Sequence, residues 1–214
     1  MRIIVKQFKQ ILLTAMSLCC IVSAIAQTRH PTIISKHKDF NQLLKEADLK
    51  LTFPIGFKEI EAVNDEDFSF DFAMELPGKD FEMWLQVKSQ KQNWTSYEHA
   101  QYDKKTELAN PDSMYIDMSR ADAIALTDDD KFLVRNMPPE VLARYNADAG
   151  KSYLLNLTDL PVTKHYKYAL LIALQKNHTG TLVAIYFTND KDPDFYRDVY
   201  RAGRCLKFIQ PTAN

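Results

Sequence analysis

Five residues, Asp190-Lys191-Asp192-Pro193-Asp194, carry carboxylates at every second position, a spacing used to chelate a hard cation. A calcium loop of that kind needs glycine at its sixth place and a bidentate glutamate at its twelfth. Counted from Asp190, those places hold Phe195 and Arg201. The run therefore reads as a strand-to-helix turn, with Asp192 or Asp194 as the N-cap and negative charge at the positive end of a helix dipole. Asp128-Asp129-Asp130 reads in the same way as a solvated turn. The five histidines, His30, His37, His99, His165 and His178, show neither H-x-x-x-H nor H-E-x-x-H spacing. Nucleophilic chemistry has no local signature either. There is no G-x-S-x-G elbow, and glycines at 56, 78, 150, 180 and 203 form no phosphate cradle. Cys205 precedes Leu206-Lys207-Phe208 in strand context and reads as a buried, inert thiol. No catalytic set, metal site or cofactor is expected from these residues. N-x-T triplets at Asn93, Asn156 and Asn177 identify no site.

Aromatic side chains are the remaining means of making contact. Trp84 lies on the polar side of an alternating segment, between Glu82 and Gln86. It is the candidate ligand or partner surface, because tryptophan and tyrosine give large contact area at low entropic cost. The competing expectation is that a helix covers Trp84 and makes it second-layer core. Trp94 opens a helical segment, and Tyr97, Tyr102 and Tyr145 are expected to be half-exposed.

The elements that must position these residues follow from periodicity. Phe68, Phe70, Phe72, Met74 and Leu76 are all even-numbered; Phe81, Met83, Leu85 and Val87 are all odd-numbered. Each set lies on one face of a strand, because strand side chains repeat every two residues. Pairs on a shared face then have numbers summing to an odd total, which selects a loop of two or four residues. Pro77 resists the positive φ of the favoured two-residue turns. The expectation is a four-residue loop, Pro77 to Asp80, pairing Leu76 with Phe81, Met74 with Met83, Phe72 with Leu85 and Phe70 with Val87.

Elsewhere the pattern predicts a loose arm over 27–38 and a short helix over 39–47 capped by Asp39. A strand is expected through Leu49, Leu51 and Phe53, resumed at 57–60. A helix is expected over 94–109, ended by Asn110-Pro111. Residues 114–126 are helical or irregular. A short strand follows at 132–134, then a helix from Pro138-Pro139 that Gly150 stops. Strands are expected over 152–157, 166–175 and 181–188. The last two are nearly continuous apolar runs, as in strands covered on both faces. A helix over 194–203 has Phe195, Val199 and Ala202 inward, and Leu206 and Phe208 form a last short strand. The fold class is α+β, an antiparallel β-sheet covered by helices.

The first 26 residues read as a secretory signal peptide. Arg2, Lys6 and Lys9 are their only charges, Ile11 to Ala24 is a short apolar run, and Ala24-Ile25-Ala26 offers small residues before a cut after Ala26. The run falls short of the ~18–20 apolar residues of a membrane span. Leu18 before Cys19, and Cys19 before Cys20, do not make a lipid-attachment site. Removal of the leader leaves 188 residues with 24 Lys+Arg against 28 Asp+Glu, a charge of about −4. Long-range attraction to nucleic acid or to anionic lipid is not expected. Cys205 is then the only cysteine, so no intramolecular disulfide forms and stability rests on a core. The domain plan is signal peptide 1–26, arm and short helix 27–44, a single domain 45–209 and a tail 210–214.

The stretches LKLTFPIGFKEI (Leu49 to Ile60), FDFAMELPGKDFEMWLQV, RYNADAGKSY (Arg144 to Tyr153) and YKYALLIALQKNHTGTLVAIYF resemble uncharacterised secreted bacterial proteins with a PsbP-like α/β/α sandwich. The resemblance implies an accessory or binding role and carries over no catalytic residue. The expected function is an exported, non-enzymatic domain of the periplasm or extracellular space that binds a protein partner or a small ligand. It would bind no nucleic acid and keep no transmembrane segment after cleavage. The alternative is an exported hydrolase with a dispersed active site, and a domain docking on its own copies is a third reading.

Overall fold

The structure, a computed structural model, describes residues 33–64, 68–102 and 108–210. The leader with Cys19 and Cys20, the cut after Ala26, His30 and the tail 211–214 lie outside them. Residues 37–214 form one compact unit, and the described part of the other unit is the first turn of α1. The elements are α1 (Ile33–Glu46), β1 (Leu49–Leu51), β2 (Lys58–Ile60), β3 (Phe72–Glu75), β4 (Phe81–Ser89), α2 (Lys91–Gln101), a 3₁₀ turn (Pro111–Ser113) and α3 (Met114–Thr127). Then come β5 (Leu133–Asn136), α4 (Pro139–Tyr145), β6 (Ala149–Asn156), a second 3₁₀ turn (Pro161–Thr163), β7 (Tyr168–Lys176), β8 (Gly180–Thr188), α5 (Pro193–Gly203) and β9 (Leu206–Phe208).

Seven strands make one antiparallel sheet in the order β2-β3-β4-β8-β7-β6-β5, and β1 pairs with β9 in a separate ribbon. The α+β class follows directly. The apolar run of β8 takes the middle place, where every one of its side chains is buried. One sheet face carries Phe72, Met74, Met83, Leu85, Leu174 and Tyr186, covered by Phe40 and Leu44 of α1, Val141 and Leu142 of α4, and Phe195, Val199 and Ala202 of α5. The other carries Ala73, Trp84, Leu155, Leu171, Val183 and Phe187; Tyr115, Ala123 and Leu126 of α3 cover its β6–β8 part, and Phe70 packs on Trp84 of β4. Among the described residues no helix is long and apolar enough to cross a membrane.

The β3–β4 register is the one set by parity: Phe72 pairs with Leu85 and Met74 with Met83. The Leu76 N–H donates to the Phe81 carbonyl (3.0 Å) and closes the loop Pro77 to Asp80. Gly78, at φ +79°, supplies the left-handed residue that Pro77 cannot. The pairing of Phe70 with Val87 does not form. Asp71 places its carboxylate on the Val87 N–H (2.7 Å) where a strand carbonyl would sit. The chain turns there, and Phe68 and Phe70 join the face opposite to Phe72.

Other boundaries move for local reasons. Helix α1 begins at Ile33, inside the expected loose arm, so Asp39 is not its cap. Phe53 leaves the first strand and is partly exposed. Helix α2 spans Lys91–Gln101, beginning three residues before the expected 94; residues 103–107 of the expected helix lie outside the described residues, and Asn110 caps the 3₁₀ turn by accepting from the Asp112 N–H (2.9 Å). Residues 114–127 are fully helical. Helix α4 stops at Asn146 (φ +53°), and Gly150 lies within β6. Asp192 caps α5, its carboxylate accepting from the Phe195 N–H (2.7 Å).

Candidate functional site

Trp84 is 1% exposed, so it offers no surface. Its cover differs from the expected helix. Phe70 meets the indole edge-on at 5.2 Å between centroids, and Phe187 lies 4.4 Å away. The segment that brings Phe68 and Phe70 across is tied down by Asn64, whose amide donates to the Phe70 carbonyl (3.1 Å), and by Gln86, whose amide donates to the Ser69 carbonyl (2.9 Å).

The polar end of Trp84 meets a buried charge. Glu82 is 3% exposed, and its carboxylate accepts from the Trp84 indole N–H (3.0 Å) and from Lys164 (2.5 Å). Tyr166 also bonds to Glu82, and burial followed by the nearby carboxylates drives its phenol far above its ordinary range. The loop that delivers Lys164 holds two successive left-handed residues, Lys164 (φ +52°) and His165 (φ +61°). Each costs on the order of 1–2 kcal/mol in an L-residue. The ion pair offsets that strain and leaves Glu82 with three donors. This arrangement holds a core together and leaves no group free to react.

Trp94 is the tryptophan that reaches the surface. Its indole stacks on the His178 imidazole at 3.8 Å and 14°, and Tyr97 packs against it edge-on at 5.2 Å. Asp112 lies behind them. Its Oδ1 accepts from the Trp94 indole N–H (2.8 Å), the Gln175 amide (2.9 Å) and the His178 backbone N–H (2.9 Å). Its Oδ2 lies 3.9 Å from His178 Nε2. Four separate elements meet at this carboxylate: α2, the 3₁₀ turn, β7 and the β7–β8 loop.

Local rules explain each placement. Lys176 pairs with Gly180, which leaves a three-residue loop, Asn177 to Thr179. Such a loop needs a left-handed residue, and His178 supplies it at φ +59°. Gly180 cannot carry a side chain, because a Cβ there would lie 2.9 Å from the Lys88 carbonyl and 3.0 Å from Ala47 Cβ. Below the loop runs a buried polar network. Thr181 donates to the Gln175 carbonyl oxygen of its side chain (2.6 Å), the Gln90 amide donates to Thr181 (3.5 Å), and the Asn93 amide donates to the Gln90 side chain (2.6 Å). Helix α2 itself buries no residue. Its Trp94, together with a Lys91–Asp48 ion pair (2.8 Å), fastens it to the sheet end.

The acidic run lies at another corner, around a cavity of about 300 Å³ lined by Lys79, Asp80, Phe81, Asp190, Asp192, Asp194, Phe195 and Asp198 among others. Most of its carboxylates are already engaged. Asp198 is buried between Lys79 and Arg201 (3.2 Å), Asp80 accepts from Asn189 (3.1 Å), Asp192 caps α5 and Asp194 pairs with Arg197 (2.8 Å). Among the described residues no three His, Cys, Asp or Glu side chains converge as metal ligands. Cys205 is half-buried and its thiol donates to the Arg201 carbonyl (3.5 Å). Burial raises its pKa, opposed by Arg204 and Arg201, so thiolate is disfavoured. His165 contacts Asp159 (2.5 Å) on the surface, far in sequence from either tryptophan's carboxylate partner. Among the described residues no hydrogen bond joins the His178 imidazole to a serine, threonine or cysteine.

The sequence places Trp94 and Tyr97 on a helix and His178 in a hairpin loop but does not join them, and Asp112 and Gln175 carry no signal of their own. The short hairpin loop between the two apolar strands was the one available pointer; the structure sets its length at three residues, which forces an unusual backbone on His178. Comparison of the chain with known protein families, characterised proteins and solved structures finds no match, so its function is read from its own geometry.

Proposed function

We propose that the chain is an exported, non-enzymatic binding domain, and that its ligand surface is the Trp94–His178–Asp112 cluster in place of Trp84. One observation carries this reading: two stacked rings at the surface are fixed by a single carboxylate that receives three hydrogen bonds. A surface held this firmly loses little entropy when it binds. His178 presents its outer face, with 63% of its side chain exposed, and Asp112 Oδ2 lies beside its Nε2 at 3.9 Å as a second acceptor. The matching ligand is small, with a flat or apolar face and an adjacent hydrogen-bond donor. Export rests on the leader-like start of the sequence, and likeness to PsbP-like accessory proteins rests on the stretches quoted above.

The test is thermal unfolding of the full chain against a panel of monosaccharides and free amino acids. At least one compound is expected to raise the Tm of the wild type and leave Trp94→Ala unmoved. Chromogenic ester, phosphate and glycoside substrates form the second arm. Turnover abolished by Asp112→Asn overturns the proposal in favour of an exported hydrolase. Mass analysis of the protein recovered outside the cytoplasm is expected to find a chain beginning at Gln27.

A further inference from the structure

Helix α5 buries Phe195, Asp198, Val199 and Ala202 and turns Tyr196, Arg197, Tyr200 and Arg201 outward, with Arg204 exposed just past its end. Arg197 and Arg201 are engaged by Asp194 and Asp198. Arg144, from α4, and Arg204 lie 5.5 and 5.6 Å from the Tyr200 ring centroid. Neither has a carboxylate partner among the described residues. Two uncompensated guanidinium groups thus flank one exposed tyrosine.

The opposite flank of α5 carries an apolar tip. Arg201 Nη2 donates to the Ile55 carbonyl (3.1 Å) and holds the turn at Pro54–Gly56 against the helix. Ile55 is 92% exposed, and Phe53 beside it is partly exposed. The Thr52 N–H donates to the Cys205 carbonyl (2.8 Å), which anchors this turn to the end of α5, so that the apolar tip and the arginines flank the same helix. The chain's net negative charge hides this face, because net charge does not report distribution.

We infer that this face docks on an anionic bilayer surface. Its chemistry fits that partner. Tyrosine rings favour the headgroup level, arginines reach lipid phosphates while their stems stay in apolar surroundings, and an aliphatic side chain on a projecting turn enters the acyl boundary without needing a pocket. The uncompensated charge of Arg144 and Arg204 is complementary to the negative leaflet. A protein partner would have to supply a recess for Ile55, and a nucleic-acid duplex would accept it only by unstacking a base step.

Flotation of the full chain with phosphatidylcholine–phosphatidylglycerol vesicles, and with pure phosphatidylcholine vesicles, tests this. Every variant keeps the N-terminal apolar stretch, so its contribution cancels in the comparison. The R144A/R204A pair is expected to weaken binding to the anionic vesicles about 25-fold, roughly fivefold per arginine at low salt. Ile55→Asn is expected to cost about tenfold. Lys131→Ala, a charge elsewhere on the surface, and Trp94→Ala, in the proposed ligand site, are expected to change nothing. The inference is overturned if the R144A/R204A and Ile55→Asn proteins bind like wild type, or if lipid charge makes no difference. Absence of vesicle binding alongside self-association that Ile55→Asn abolishes also overturns it, and makes the face an interface between copies. None of these outcomes bears on the Trp94 site, whose loss is read by the Tm shift.

Discussion

The chain has two tryptophans, and they solve the same problem in opposite settings. Each indole donates its N–H to a carboxylate, Trp84 to Glu82 (3.0 Å) and Trp94 to Asp112 (2.8 Å), and each packs against another ring. Around Trp84 the rings are phenylalanines and the face is closed. Around Trp94 the ring is a histidine on a strained loop and the face is open. A buried indole needs its polar atom satisfied whatever its role, so the hydrogen bond alone does not distinguish core from site. What distinguishes them is the cover: apolar segments crossing a sheet face in one case, and solvent over a rigid stack in the other.

The largest expected effect lies on the closed side. Trp84→Ala is expected to destabilise the fold by about 3–5 kcal/mol, read as a lower urea midpoint with unchanged slope. Trp94→Ala should cost far less, and equal losses would end the contrast between core and surface. Lys164→Met comes next. It strips Glu82 of its cation and is expected to cost about 2–3 kcal/mol, somewhat below a fully buried pair because Lys164 is half-exposed.

A second pair of carboxylates sharpens the same comparison. Asp112 receives three hydrogen bonds on one oxygen, whereas Asp122 of α3 has a buried Oδ2 with no hydrogen-bond partner among the described residues. Burial pushes the Asp122 carboxyl up from 3.8 to about 6, with Lys88 acting weakly against it. The folded chain therefore holds this proton more tightly than the unfolded chain. The resulting stability is complete below the unfolded value and is lost as pH rises through about 6. Asp122→Asn is expected to stabilise the protein by up to about 3 kcal/mol at slightly alkaline pH and by almost nothing in acid. A pH-independent gain would mean that the charge is not the cause.

Trp94→Ala is expected to cost about 1 kcal/mol, since Trp94 is only half-buried and α2 buries no residue, while abolishing ligand response. Acrylamide quenching should reach Trp94 in the Trp84→Phe protein far more readily than Trp84 in the Trp94→Phe protein. His178→Gly gives the smallest change in stability, because relief of the left-handed strain offsets the lost stack. Its binding should still fall to the level of Trp94→Ala. Retained binding would mean that the imidazole is a spectator.

The hairpin shows how far the sequence reached. From Phe72 to Leu85 the parity of residue numbers gave the register and the loop length, both of which the structure bears out; it marked one face as buried, whereas the structure buries both, Ala73, Glu82 and Trp84 included. The same parity continues back through Phe70 and Phe68, and there it misleads. Nothing in the alternation reveals that the Asp71 side chain takes the Val87 N–H and lets the chain cross to the other face. The polar position of Trp84 was legible for the same reason that the register was. Its burial as second-layer core was also among the expectations and is what the structure shows; the identity of its cover was not legible, because Phe70 arrives through that crossing.

Local periodicity, turn chemistry and capping residues were thus enough to determine an antiparallel sheet with helices over it, and to name its two central strands, β7 and β8. Those rules act over two to four residues, within reach of sequence spacing. The convergence of Trp94, Asp112, Gln175 and His178 was decided only by tertiary structure. It depends on how a helix, a turn, a strand end and a loop arrive at one carboxylate, and no local spacing encodes that meeting. The uncompensated arginines beside Tyr200 are a similar case: the sequence supplies the charges, and the packing of α4 beside α5 determines which remain without a partner.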